Sequence, residues 1–143
     1  MTQTVSVTRR IRCAADEASA FVTDMHKLVS AVSTFKRCKF SGDSADGQLW
    51  DVFMRSGTIY LGGRVRVTAE PRRLSCRSIS GTRHWFEAVV EDDPIGCRIT
   101  FRLTISLYGW GTAWFSELIG RGIVSRHLEA AAEEVRHHLE FER

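Results

Sequence analysis

CRITFRLTISL, Cys97 to Leu107, alternates without a break. Cys97, Ile99, Phe101, Leu103, Ile105 and Leu107 fall on one side of an extended chain, and Arg98, Thr100, Arg102, Thr104 and Ser106 on the other. Strict alternation of this kind marks a strand with one face against a core and the other in water. A strand so long and so apolar on one face must cover something, either the protein's own core alone or a guest molecule as well.

Working outward, the period of two governs the chain from about residue 34. FKRCKFSG is followed by a turn at Gly42 to Gly47, then QLWDVFMRSG, TIYLGGRVRVTAE, the turn EPRR, LSCRSIS, GTRHWFEAVVEDD and the turn DPIG that leads into Cys97. Six short strands separated by Gly or Pro signals predict an antiparallel meander joined by hairpins. Upstream, TVSVTRRIR (4–12) carries Val5, Val7 and Ile11 and reads as a first strand. Ala18, Phe21, Val22, Met25, Leu28 and Val29 then recur at steps of three and four, the spacing of a helix. Asp24 and Ser30 can interrupt it, so one helix and a pair over about 15–23 and 25–32 both fit.

After Tyr108-Gly109-Trp110-Gly111 the helical period returns. Trp114, Leu118, Gly122, Ser125, Leu128, Ala132, Val135 and Leu139 form one face of a helix reaching to near residue 141, widened by Phe115, Ile119 and Ala131. The order is β, αα, six β, α, which defines an α+β fold.

With 143 residues the chain suits one domain, 1–143, able to bury a core without staples. Its net charge of +3 comes from dispersed basic residues with no dense stripe or interleaved aromatics, so no nucleic-acid partner is expected. Cys13, Cys38, Cys76 and Cys97 lack any CxxC or zinc-finger spacing, and MTQTVSVTRRIRCAADEASA lacks the apolar core of a signal peptide. A reducing, cytoplasmic setting with thiols acting as small hydrophobes is expected. No stretch approaches the roughly 18 apolar residues that cross a bilayer, so no stable membrane insertion is expected either.

The alternating V-S-V-T-R-R-I start followed by AADEASAFVTD, then GQLWDVFMRSG, the Pro71 to Leu74 turn PRRL and the amphipathic last helix together resemble the START-like (SRPBCC) superfamily, the polyketide cyclase/dehydratase, Bet v 1 and lipid-binding group. That resemblance implies a helix-grip fold, in which a curved antiparallel sheet of about seven strands (β-αα-β6-α) wraps around the long C-terminal helix. It says little about chemistry, because binders, carriers and enzymes share this scaffold.

Strand parity turns Trp50, Val52, Met54, Ile59, Leu61, Val65, Val67, Cys76, His84, Phe86, Ala88 and Val90 inward, with the odd-numbered residues of the opening strand. Gly122, Ser125 and Ala132 on the helix and Gly62 and Gly63 in a strand leave either space or close packing, and glycines within a strand suggest a bend or bulge. The candidate ligand-binding set is therefore Trp50, Val52, Met54, Leu61, Val65, His84, Phe86, Ala88, Phe101, Leu103, Ile105, Trp114, Leu118 and Gly122. Trp110 serves equally as a plug for the end of the sheet.

Catalytic signatures are weak. HExxH, GxSxG, a P-loop and GxGxxG are missing, no metal-ligand spacing occurs and no cofactor is implied. His137 and His138 read as surface groups, and His26 as a surface residue or one at a cavity mouth. His84 shares the parity of Phe86, Ala88 and Val90; a buried imidazole is held neutral and can exchange a proton near neutral pH, orient a carbonyl or satisfy a core partner. Asp51 and Glu87 should point to water.

Three functions follow. The first is binding or transport of a small hydrophobic molecule, a lipid, sterol or polyketide-like compound, between sheet and helix. The second is a cyclase- or dehydratase-like enzyme with His84 as acid/base and Trp50 or Trp85 as stacking wall. The third is an interaction domain, for instance a homodimer, with Phe21, Val22, Met25 and Leu28 as its apolar surface.

Overall fold

The computed structural model describes residues 2–35, 37–56, 59–106 and 122–142, with backbone alone for 54–56 and 59–61. The strands are β1 (Thr2–Ile11), β2 (Lys39–Ser44), β3 (Gly47–Ser56), β4 (Ile59–Glu70), β5 (Arg73–Ser78), β6 (Arg83–Asp93) and β7 (Gly96–Ser106). They form one seven-stranded antiparallel sheet in the order β1-β7-β6-β5-β4-β3-β2. The meander is the predicted one, and the first strand closes on the last.

Between β1 and β2 stand two short helices, α1 (Ala15–Val22) and α2 (Met25–Ala31). Asp24 divides them: its side chain accepts from the backbone N–H groups of His26 and Lys27 at 3.0 and 3.4 Å, capping α2. Phe21, Val22, Met25 and Leu28 are all buried in the common core, so they do not form the exposed apolar surface that an interaction domain would need. FKRCKFSG is also corrected. Ser33–Phe35 is a 3-10 turn and the strand starts only at Lys39, which drives Phe35 and Cys38 into the core.

The last helix, α3, runs over Ile123–His137 and closes in a π-turn at His138–Glu142. Its buried stripe is Leu128, Ala131, Ala132, Val135 and Leu139, as the spacing predicts. Gly122, expected on that face, instead caps the helix in a left-handed conformation (φ 75°), with open space where a Cβ would stand. The helix lies along β1, where Arg9 Nε donates to Glu133 at 2.8 Å and the backbone N–H of Arg12 to Glu140 at 2.9 Å. Ser33 bonds Glu134 through both its backbone N–H and its hydroxyl, and Phe21 stacks on His138 with centroids 4.4 Å apart.

Gly62 and Gly63 produce no bulge, because the β3–β4 register runs through them unbroken. They admit a neighbour instead: the loop from Ile79 to Thr82 presses on β4, and Thr82 N–H donates to the Gly62 carbonyl at 2.9 Å. A Cβ on Gly63 (φ 139°) would lie 2.1 Å from the Ser80 carbonyl oxygen, whereas one on Gly62 would meet nothing closer than 3.7 Å. Gly63→Ala should therefore destabilise the protein by more than about 1 kcal/mol, and Gly62→Ala by less than about 0.5 kcal/mol. Urea unfolding of the two variants checks this, and equal losses would remove the loop contact as the reason for the glycine pair.

Candidate functional site

Alternation carries the predicted residues to the concave face. Trp50, Val65, His84, Phe86, Ala88, Phe101, Leu103 and Ile105 are buried there, and Val52 packs partly buried against them. Met54 and Leu61 pair directly across β3 and β4, their side chains lying outside the described residues, as do Trp110, Trp114 and Leu118 altogether. The set divides along the strands. His84 pairs with Ile105 in the row that runs through Ser78 and Val65 to Trp50, and Leu103 and Val52 flank that row on either side. Phe86 and Phe101 occupy the middle with ring centroids 5.5 Å apart, and Phe35 from the 3-10 turn meets Phe86 at 5.7 Å. Phe35 thus fills the centre of the concavity, a role no periodicity in its short segment signals.

Among the described residues, His84 is the histidine on this face. It is 6% exposed, and its backbone N–H donates to Ser78 Oγ at 3.0 Å. Nδ1 lies 2.7 Å from the Thr82 carbonyl oxygen. A carbonyl can only accept, so Nδ1 carries the proton and Nε2 presents a lone pair. Nε2 has no hydrogen-bond partner among the described residues. Burial holds the imidazole pKa below its ordinary value, with the Thr82 carbonyl opposing in part. The ring is consequently neutral at neutral pH.

Thiols offer no rival nucleophile among the described residues. All four cysteines are buried and stand outside any disulfide. Burial pushes Cys76 up to about 12 and Cys97 to about 11, and also raises Cys38. Cys38, Cys76 and Cys97 remain protonated, apolar fillers.

One aromatic assignment changes. Trp85 pairs with Arg77 and Thr104 on the convex face, where it is 40% exposed, so it cannot wall an interior site. Trp50 is buried on β3, three strands across the sheet from His84 in the row that runs through Val65 and Ser78. Its ring lies 4.8 Å from that of His26 and 5.5 Å from that of Phe40, and its Nε1 donates to Gln48 Oε1 at 3.0 Å. His26 itself is exposed. Glu87 keeps the predicted outward parity yet is only 7% exposed, because Arg73 and Arg102 cover it at 3.9 and 3.6 Å. Asp51 does reach water, beside Arg64 at 3.0 Å.

A cleft of about 560 Å³ opens beside Trp50. It lies between the α1–α2 junction (Thr23, Asp24, Met25, His26), the β2–β3 turn (Asp46, Gly47, Gln48) and the end of β4 (Val67, Thr68, Ala69), with Ala20 behind. His26 and Gln48 line the cleft and also touch Trp50. Trp50 therefore stands at the seam between cleft and core. Three distant segments assemble this feature, and none carries a motif that announces it.

No protein-family model matches the sequence, and no curated protein matches it. Solved structures do resemble it over nearly the whole chain. TTHA0849 from Thermus thermophilus superposes with a TM-score of 0.81 at 12% identity, covering 96% of this chain and 97% of that one. The Zhui aromatase/cyclase from Streptomyces sp. R1128 gives 0.76 at 10% identity, covering 99% and 98%. A START superfamily protein from Mycobacterium smegmatis gives 0.70 at 14% identity, covering 95% and 96%. Identities this low speak for architecture alone. The chain has the START-like helix-grip fold.

Proposed function

We propose that the protein binds a small hydrophobic molecule, a lipid, sterol or polyketide-like compound, between the concave face of the sheet and the C-terminal helix. One observation carries this reading. The concave face is apolar along β3 to β7 apart from Gln48 on β3 and Ser78 with His84 on β5 and β6, and the imidazole keeps a lone pair without a partner among the described residues. Such a surface offers contact area to an apolar guest and one polar group to orient it. The solved START superfamily structure and the aromatase/cyclase of the same fold support it as analogies. We place the guest on the β6–β7 side of the concavity, beside His84, Leu103 and Ile105, since Phe35 fills the centre. The thiols, all outside any disulfide, accord with a reducing, cytoplasmic setting, and no described helix is long and apolar enough to cross a membrane.

The lone pair on His84 favours one second reading, a cyclase- or dehydratase-like enzyme. Nε2 would take a proton from a carbon next to a carbonyl, while Nδ1–H, held by Thr82, steadies the imidazolium that forms. The proton would then return to a departing hydroxyl.

Native mass spectrometry of the purified protein, followed by denaturation, should release an apolar compound, and an environment-sensitive dye should be displaced by one of the three ligand classes. Failure of every class, with no retained compound, sinks the binding reading. Ile105→Trp distinguishes chamber from solid core: in a chamber it abolishes dye binding at unchanged stability, whereas in a filled core it costs about 1 to 3 kcal/mol. For the enzymatic reading, His84→Ala should lower turnover by about 10² to 10⁴, and full retention would dismiss that role.

The depressed pKa of His84 has a sign that stability can report. The unfolded chain takes up the proton at the ordinary value of 6.5, the folded one only at lower pH. Stability is therefore greatest above that value and falls as pH drops through it. His84→Asn should flatten this part of the curve when urea midpoints are compared between about pH 8 and about pH 5. An unchanged slope would show that the imidazole titrates as an ordinary exposed one.

A further inference from the structure

The convex face of the sheet carries a row of arginines, nearly all balanced. Arg10 meets Asp93 at 2.8 Å, Arg64 meets Asp51 at 3.0 Å and Arg98 meets Glu91 at 3.1 Å, while Arg73 and Arg102 share Glu87. Arg66 and Arg77 differ. They sit directly opposite each other across β4 and β5, and neither has a carboxylate partner among the described residues. Like charges facing each other across a strand pair are unfavourable unless something neutralises them. The carboxylates nearest in the register, Asp51 and Glu87, are held by the other arginines.

Two further details bear on this pair. The guanidinium of Arg77 lies 4.7 Å over the ring of Trp85, its neighbour in β6, which fixes it flat and leaves its edge free to bond. The Nε of Arg66 is shut off from solvent and has no hydrogen-bond partner. A desolvated donor without an acceptor is costly, and turning the Arg66 side chain outward toward a shared acceptor would relieve it.

We propose that Arg66 and Arg77, with Trp85 as a wall, form an oxyanion site on the convex face that takes a phosphate group. The guanidinium fork matches phosphate oxygens two at a time, and cross-strand neighbours can bracket one such group from both sides. The phosphate can belong to a soluble phosphorylated molecule or to a phospholipid head group. The site lies across the sheet from the apolar face, so its failure is separate from failure of the binding reading above.

The test is a titration of the full chain with inorganic phosphate at constant ionic strength, followed by the arginine Nε–H and tryptophan indole resonances. Trp85 is identified by its loss in Trp85→Phe. Saturable shifts at Arg66, Arg77 and Trp85 are expected, with Arg66→Gln and Arg77→Gln each weakening binding about tenfold. Arg10→Gln carries the same charge change at a balanced arginine and should alter the midpoint by less than about twofold. Should Arg66→Gln fold poorly, the exposed Arg77→Gln still decides. A linear response, equal in all three variants, or no response at all overturns the proposal. Sedimentation with phosphatidylcholine vesicles, with and without phosphatidic acid, then separates the sources. Capture that needs the acidic lipid and both arginines identifies a head group, and phosphate binding without capture identifies a soluble ligand.

Discussion

Strand β7 is hydrogen-bonded on both edges, to β6 on one side and to β1 on the other, while it presents Cys97, Ile99, Phe101, Leu103 and Ile105 to the core. Backbone pairing and apolar burial are satisfied together only in this register, because a slip by one residue would turn Arg98 and Arg102 inward. The pairing with β1 brings the first strand beside the last one. The helix α3 is then positioned through β1, by the Arg9–Glu133 ion pair and the Arg12–Glu140 hydrogen bond. Matching hydroxyls reinforce the same seam on the outer side, Thr4 with Thr104 and Thr8 with Thr100, each at 3.1 Å. The place of the helix over the sheet is a consequence of how the two terminal strands meet.

The two faces of the sheet handle polarity in opposite ways. Outside, charge is abundant and, apart from Arg66 and Arg77, largely neutralised by neighbours, so that even Glu87 is covered by arginines. Such exposed pairs add little stability individually, but they keep a wide basic surface from repelling itself. Inside, polarity is excluded except at Gln48, Ser78 and His84. His84 is accommodated because it can shed its charge, which a carboxylate or an arginine at that position could do only at far greater cost.

The sheet, the two helices split at Asp24 and the buried stripe of α3 are legible in the sequence because each rests on a repeating pattern. Period two and period 3.6 report burial directly. What escapes is set by single contacts. Phe35 enters the core through a 3-10 turn too short to show any period. Gly63 looks like a bulge but makes room for the backbone at Ser80. Gly122 fits the helical stripe by spacing, yet its positive φ places it at the cap. The parity that turns His84 inward turns its neighbour Trp85 outward. The cleft beside Trp50 could not be read, since its walls come from three segments joined only by the fold.

Phe35 also divides the interior. On the β3 side lie Trp50, His26 and Phe40, a group of tilted and edge-on rings that borders the polar cleft. On the β6–β7 side lie Leu103, Ile105 and His84, where the polar atoms of Ser78 and Thr82 are already engaged by the histidine. The two sides therefore differ in kind. The Trp50 side has its indole donor satisfied by Gln48 and exposes charged Asp24 and Asp46 nearby, so it suits contact with water. The His84 side combines an apolar surround with one acceptor, Nε2, that no described side chain uses. An apolar molecule bearing a single hydroxyl or enolisable carbonyl gains on that side both burial and a hydrogen bond, whereas on the Trp50 side it would compete with water for groups already bonded. The asymmetry argues that recognition, and any proton transfer with it, belongs to the β6–β7 side of the concavity.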